Sequence, residues 1–159
     1  MVNRALSQID LIVIHCAASA DGSSKYDIKA IDIDHGKRKP PFNRSETALV
    51  KWRPWLKHVG YHAVVNPSGT IDLGRDVSEI GAHAAPFNKK SLGVCLIGTR
   101  KFTRNQWHSL RQIVSQWAET YRVEKIVGHR DTGAKKECPG FDVKTWLDGG
   151  MVPLQEHTL

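Results

Sequence analysis

Three short apolar runs constrain the fold of this chain more than any other feature: DLIVIH at 10–15, SLGVCLIG at 91–98 and VEKIVGH at 123–129. The first is rich in β-branched residues. The second is almost continuously apolar, the pattern of a strand buried on both faces. Segments of helical period lie between them. Asp27 is placed to cap a helix over IKAIDIDHGK, with Ile28 and Ile31 on one face. Thr103, with Gln106 three residues on, opens a longer helix through a capping box. Trp107, Leu110, Val114, Trp117 and Tyr121 then recur at helical spacing, and that stripe reads as core. YHAVVN, PSGT and IDLGRD form the strand, turn and return strand of a hairpin. Strands alternating with helices predict an α/β chain with a central mixed β-sheet flanked by helices. At 159 residues it fits one domain.

The remaining segments are less regular. ADGSS is a loop, and KRKPPFNRS at 37–45, basic and with two prolines, should be an exposed one. A short helix is expected within 46–57. GAHAAPFNKKS looks like a loop, and Asp142 is placed to cap a last helix, VKTWL. The tail GGMVPLQEHTL should be loose, leaving a core of about 9–147.

Composition excludes several classes. No apolar run approaches the ~18 residues that a membrane-spanning helix needs, so no membrane insertion is expected. The opening MVNRALSQID lacks a hydrophobic signal core, so synthesis in a cytoplasm without a Sec signal is expected. Three scattered cysteines, Cys16, Cys95 and Cys138, cannot build a disulfide framework. The net charge of +7 suits an acidic partner, such as nucleic acid or an anionic envelope. No helix-turn-helix, zinc-finger or RNA-binding signature accompanies it, so nucleic acid is not the expected partner.

The first and last of the three runs both end in histidine, His15 and His129. Ligands of open α/β sheets lie at the carboxyl ends of strands. Alternation along a strand should turn His15 and Cys16 to opposite sides, and likewise Tyr61 and His62. Only one of each pair should enter a given site. Cys95, in GVCLIG, should be core, and so should Cys16 if His15 faces the site. A catalytic zinc keeps three protein ligands and one open position. His15, His129 and Cys138 would satisfy that need. Spacing alone does not choose between this and a thiol site of Cys138 with His129. HRD at 129–131 matches the start of a kinase catalytic loop, but Lys136 stands where Asn is required. The deaminase signature fails too, because Cys138 is followed by Pro139, Gly140 and Phe141.

Four segments, taken together, carry a resemblance. They are IVIHCAAS, VGYHAVVNPSGTIDLGRD, GAHA followed by SLGVCLIG, and GHRDTGAKKECPGFD. In this order they resemble zinc amidases of the bacteriophage-lysozyme type, within the amidase and peptidoglycan-recognition-protein superfamily. The resemblance covers roughly 9–147. It implies a peptidoglycan-recognition-protein-like fold, one Zn2+ and peptidoglycan as partner. The reaction it implies is cleavage of the amide joining N-acetylmuramic acid to L-alanine. His15, His129 and Cys138 match the zinc ligands, Tyr61 the active-site tyrosine, and Lys136 the catalytic lysine. Lys135 is the nearest rival, because the loop between His129 and Cys138 is one residue longer than in the phage lysozyme. His83 and Asn88 fall where the family lines its substrate groove. The segment GKRKPPFNRSETALVKWRPW is an insertion at the groove rim. The expected setting is a monomeric phage or prophage endolysin that reaches the wall after release. A cytosolic amidase that recycles wall fragments, and a module that binds without cutting, are the alternatives. Recycling relatives usually carry Asp where this chain has Cys138, and binding modules usually lose that cysteine.

Overall fold

A computed structural model describes residues 4–159; the first three residues, part of the opening segment, lie outside them. The five strands are β1 (Leu11–Cys16), β2 (Ala63–Val65), β3 (Ile71–Leu73), β4 (Ser91–Leu96) and β5 (Lys125–Gly128). They form one sheet in the order β3-β2-β4-β1-β5. β1 runs parallel to both β4 and β5, and β2 is parallel to β4 and antiparallel to β3. The sheet is therefore mixed, and β1 and β4 lie inside it.

Their apolar runs follow from that position. Ile12 and Ile14 join a main core with Trp107, Leu110, Val114 and Trp117 of α3 (Arg104–Tyr121). Leu11 and Val13 face the other way, against Ala84. Beside them, Val64, Cys95 and Ile97 pack on Ile28 and Ile31 of α1 (Ile28–Gly36). A strand covered on both faces has no polar alternation to show. Cys95 is core, as its setting predicted.

The helix caps form as the sequence indicated. Asp27 accepts a hydrogen bond from Ala30 N at 3.0 Å. Thr103 and Gln106 complete their capping box. The Gln106 amide reaches further and donates to Ile97 O at 2.8 Å. This ties the start of α3 to the end of β4. A short α2 (Glu46–Lys51) and α4 (Val143–Asp148) complete the helices named here.

Two expectations are corrected. The tail is not loose. Phe102 N donates to His157 O at 2.8 Å and Leu159 N to Phe102 O at 3.0 Å, and Met151 and Leu154 pack on the main core. Nor is 37–45 wholly exposed, because Arg44 is buried. Its guanidinium pairs with Glu79 at 2.9 Å and donates to the carbonyls of Trp52, Arg53 and Leu56 at 2.6–2.8 Å. A buried charge persists only when paired and hydrogen-bonded. This one arginine therefore gathers the inserted segment into a single folded unit. Arg44→Leu should cost about 3–5 kcal/mol in chemical denaturation, because it leaves buried Glu79 with only the longer contact to Arg75 at 3.9 Å and removes the donor to three carbonyls. The double change with Glu79→Leu should recover the part owed to the unpaired carboxylate, while the three carbonyls stay without their donor. Equal losses in the single and double variants would show that the pair is not the tie.

Candidate functional site

The site lies at the carboxyl ends of β1 and β4, on the face covered by α1. His15 is the penultimate residue of β1 and sits in register with Cys95 of β4. Ile14, one residue earlier, pairs with Gly128 at the end of β5. His129 follows immediately, so the ladder brings both imidazoles together, with ring centroids 4.6 Å apart.

Cys138 is delivered by packing that follows it. Phe141 and Trp146 are fully buried, and Phe141 meets Trp107 of α3 edge-on at 4.8 Å. The segment between is tightly held. Cys138 O accepts from Arg130 N at 2.8 Å. Gly140 has φ +92°, and a Cβ there would lie 2.0 Å from Thr99 O, so no side chain fits. The Asp131 carboxylate accepts from Gly128 N at 2.9 Å, which fixes the turn carrying His129.

Tyr61 is placed by α1. The Asp32 carboxylate accepts from the backbone nitrogens of Lys57, His58 and Val59. His35 Nδ1 accepts from Gly60 N at 2.9 Å. The chain then enters the hairpin with Tyr61 on the cavity side and His62 turned away, as alternation predicts. The regular strand begins only at Ala63, later than the pattern suggested. Backbone bonding still runs back to Tyr61, whose carbonyl accepts from Arg75 N.

These elements enclose a cavity of about 720 Å³. His15, His129, Cys138, Tyr61, His83, Asn88 and Lys136 all border it, and Lys135 does not. Cys16 borders it as well, which corrects the expectation that only one of His15 and Cys16 would. Strand parity governs side chains, but the loop of Cys138 closes over the backbone at the end of β1. Cys16 N donates to Cys138 Sγ at 3.2 Å. No spacing signal announced that contact.

The ligand atoms of His15, His129 and Cys138 all lie within 4.8 Å of one another, so the group could hold a metal ion. The electrostatics suit a cation. Burial holds His15 well below the ordinary histidine value, and His129 and Lys136 lower it further. Burial, then Lys136, also lowers His129. Both rings are therefore neutral near pH 7 and offer lone pairs. Cys16 and Cys138 titrate as a pair. Their contact draws Cys16 down to about 7, while that contact and burial push Cys138 up. A cation placed among the three ligands would reverse this order, because its charge acts directly on Cys138 Sγ. Burial, followed by the neighbouring thiols, raises the Tyr61 hydroxyl well above its usual value. Tyr61 thus keeps its proton.

His35, which also borders the cavity, is lowered to about 4, and His62 behind it to about 3, both mainly by burial. Together with His15 they stay neutral when folded, whereas the unfolded chain takes up protons below about 6.5. Their contribution to stability is complete above that value and lost as pH falls through it. With His83, which burial also holds well below its ordinary value, the metal-free protein should lose roughly 4 kcal/mol of unfolding free energy between pH 6.5 and 5.5. A flat profile over that window would mean that these rings charge within the fold.

Comparison with known proteins places this chain in a family. The family model described as N-acetylmuramoyl-L-alanine amidase matches residues 5–141. The endolysin of Enterobacteria phage T3 is 34% identical over 131 residues, spanning 76% of this chain and 85% of that protein. The endolysin of Escherichia phage T7 is 31% identical over 150 residues, spanning 87% and 85%. The solved amidase LysC from Clostridium intestinale shares the fold at TM-score 0.71, with 20% identity over 96% of this chain and 94% of that one. Drosophila peptidoglycan recognition protein SD shares it at TM-score 0.63, with 17% identity over 99% and 89%. The chain is a peptidoglycan hydrolase and belongs to the N-acetylmuramoyl-L-alanine amidase family.

Proposed function

We propose that the chain cuts the amide between the lactyl group of N-acetylmuramic acid and L-alanine with one zinc ion held by His15, His129 and Cys138. The observation that supports this most is the closeness of those three ligand atoms at a cavity wall that also carries Tyr61 and Lys136. Two neutral imidazoles and a thiolate are the ligand types that zinc takes. Bound there, zinc would supply a Lewis acid and lower the pKa of a bound water towards ~7.

The chain's own residues do the rest. An amide carbonyl under attack develops negative charge on oxygen, which needs donors or cations close by. Tyr61 Oη, which holds its proton, donates a hydrogen bond to that oxygen. Lys136 brings a positive charge to the same wall, and the proton it hands to the departing amine nitrogen is replaced by the one that the attacking water releases. His83 and Asn88 border the same cavity.

The biological role that fits is that of a phage-type endolysin. The T3 and T7 relatives carry that name. Among the described residues, no helix is long and apolar enough to cross a membrane. The net charge of +7 favours docking on an anionic envelope once the enzyme is released. The resemblance adds that recycling amidases usually carry Asp, and binding modules usually lose the cysteine, where this chain has Cys138.

Digestion of purified peptidoglycan, read by mass spectrometry, tests the reading. Free stem peptides beginning with L-alanine should appear and should vanish with a chelator. Lys136→Ala should slow their release by roughly 10²–10³, with Lys135→Ala nearly unchanged. Cleaved glycosidic bonds with intact stems, or a large loss from Lys135→Ala alone, would contradict it.

A further inference from the structure

The two nitrogens of His15 face different partners. Nδ1 is turned towards Cys138 Sγ, 3.9 Å away. Nε2 lies 2.9 Å from Nδ1 of His83. Two facing imidazole nitrogens at this distance share one hydrogen. A cation among His15, His129 and Cys138 requires a lone pair on His15 Nδ1. The ring hydrogen of His15 then resides on Nε2, and His83 Nδ1 accepts it. The hydrogen of His83 falls on its own Nε2, which lies 3.2 Å from the hydroxyl of the buried Ser91.

The acceptor ring is itself fixed. A Cβ on Gly93 would lie 2.7 Å from His83 Cγ and Nδ1, and one on Gly81 would lie 2.7 Å from its Cδ2. Both glycines leave the space that the ring occupies. The backbone is fixed by Asn88, whose Oδ1 accepts from His83 N at 2.9 Å and from Ala84 N at 2.8 Å. Arg4 anchors the far side of this loop by donating to Asn88 O at 3.1 Å and Ser91 O at 2.7 Å. Both ring nitrogens of His83 and the Oδ1 of Asn88 are thus committed to protein partners, although both residues border the cavity.

We infer that His83 is a positioning residue for His15: it fixes the tautomer and aim of the metal ligand, and Asn88 and Ser91 hold it there. This replaces contact with the peptidoglycan as the role of both groove residues, and it rests on the zinc reading above. A ligand that must find its tautomer on each binding event holds metal less well than one already set.

The test is zinc affinity by chelator competition, with the zinc-loaded wild type also examined by nitrogen NMR. His83→Leu should weaken zinc binding about 10–100-fold. His83→Asn, whose Oδ1 stands where Nδ1 stood, should return it to within about fivefold of wild type. In the wild type, a slowly exchanging hydrogen on His15 Nε2 should show coupling to His83 Nδ1. This signal decides the matter even if His83→Leu fails to fold. Unchanged affinity in a cooperatively melting His83→Leu, or the hydrogen found on His83 Nδ1, would overturn the inference and leave the zinc reading standing. A wild type that binds no zinc would overturn both.

Discussion

A neutral imidazole enclosed at the end of a central strand is the constraint around which this molecule is arranged. His15 is 1% exposed. Among the described residues no carboxylate lies beside it to offset a charged ring's lost hydration, so burial keeps the ring neutral. A neutral ring has one donor and one acceptor, and both must be answered. His83 meets one side, and the other is turned to Cys138 and His129. The buried strand, the ligand geometry and the protonation state are thus one physical fact seen at three scales.

Two further pieces of packing convert that residue into a site. Parallel pairing of β1 with β5 brings His129 beside His15. The aromatic contact of Phe141 with Trp107 then draws Cys138 back over the strand end. The inserted segment is bound to the same frame through Arg44 and Glu79, and it contributes Arg38 and Phe42 to the cavity wall.

Much of this was legible in the sequence, for reasons that can be named. β1 and β4 are buried on both faces, so their apolar runs showed directly. The long helix announced itself through Thr103, Gln106 and its Trp–Leu–Val stripe. What escaped depended on partners far along the chain. Arg44 looked solvated because Glu79 lies 35 positions away. The tail looked loose because its bonds go to Phe102. Cys16 packs on the main core as parity indicated, but parity says nothing of its backbone amide, which meets Cys138. His83 gave no spacing signal at all. Its bond to His15 crosses 68 positions and depends on the room left by Gly93 and Gly81.

The central claim is that one thiolate and two imidazoles share a single metal. X-ray absorption at the zinc edge of the loaded protein tests this directly. The account predicts one sulfur at ~2.3 Å and two imidazole nitrogens at ~2.0 Å, with a light atom completing the shell. A shell without sulfur, or with two sulfurs because Cys16 joins Cys138, would contradict it.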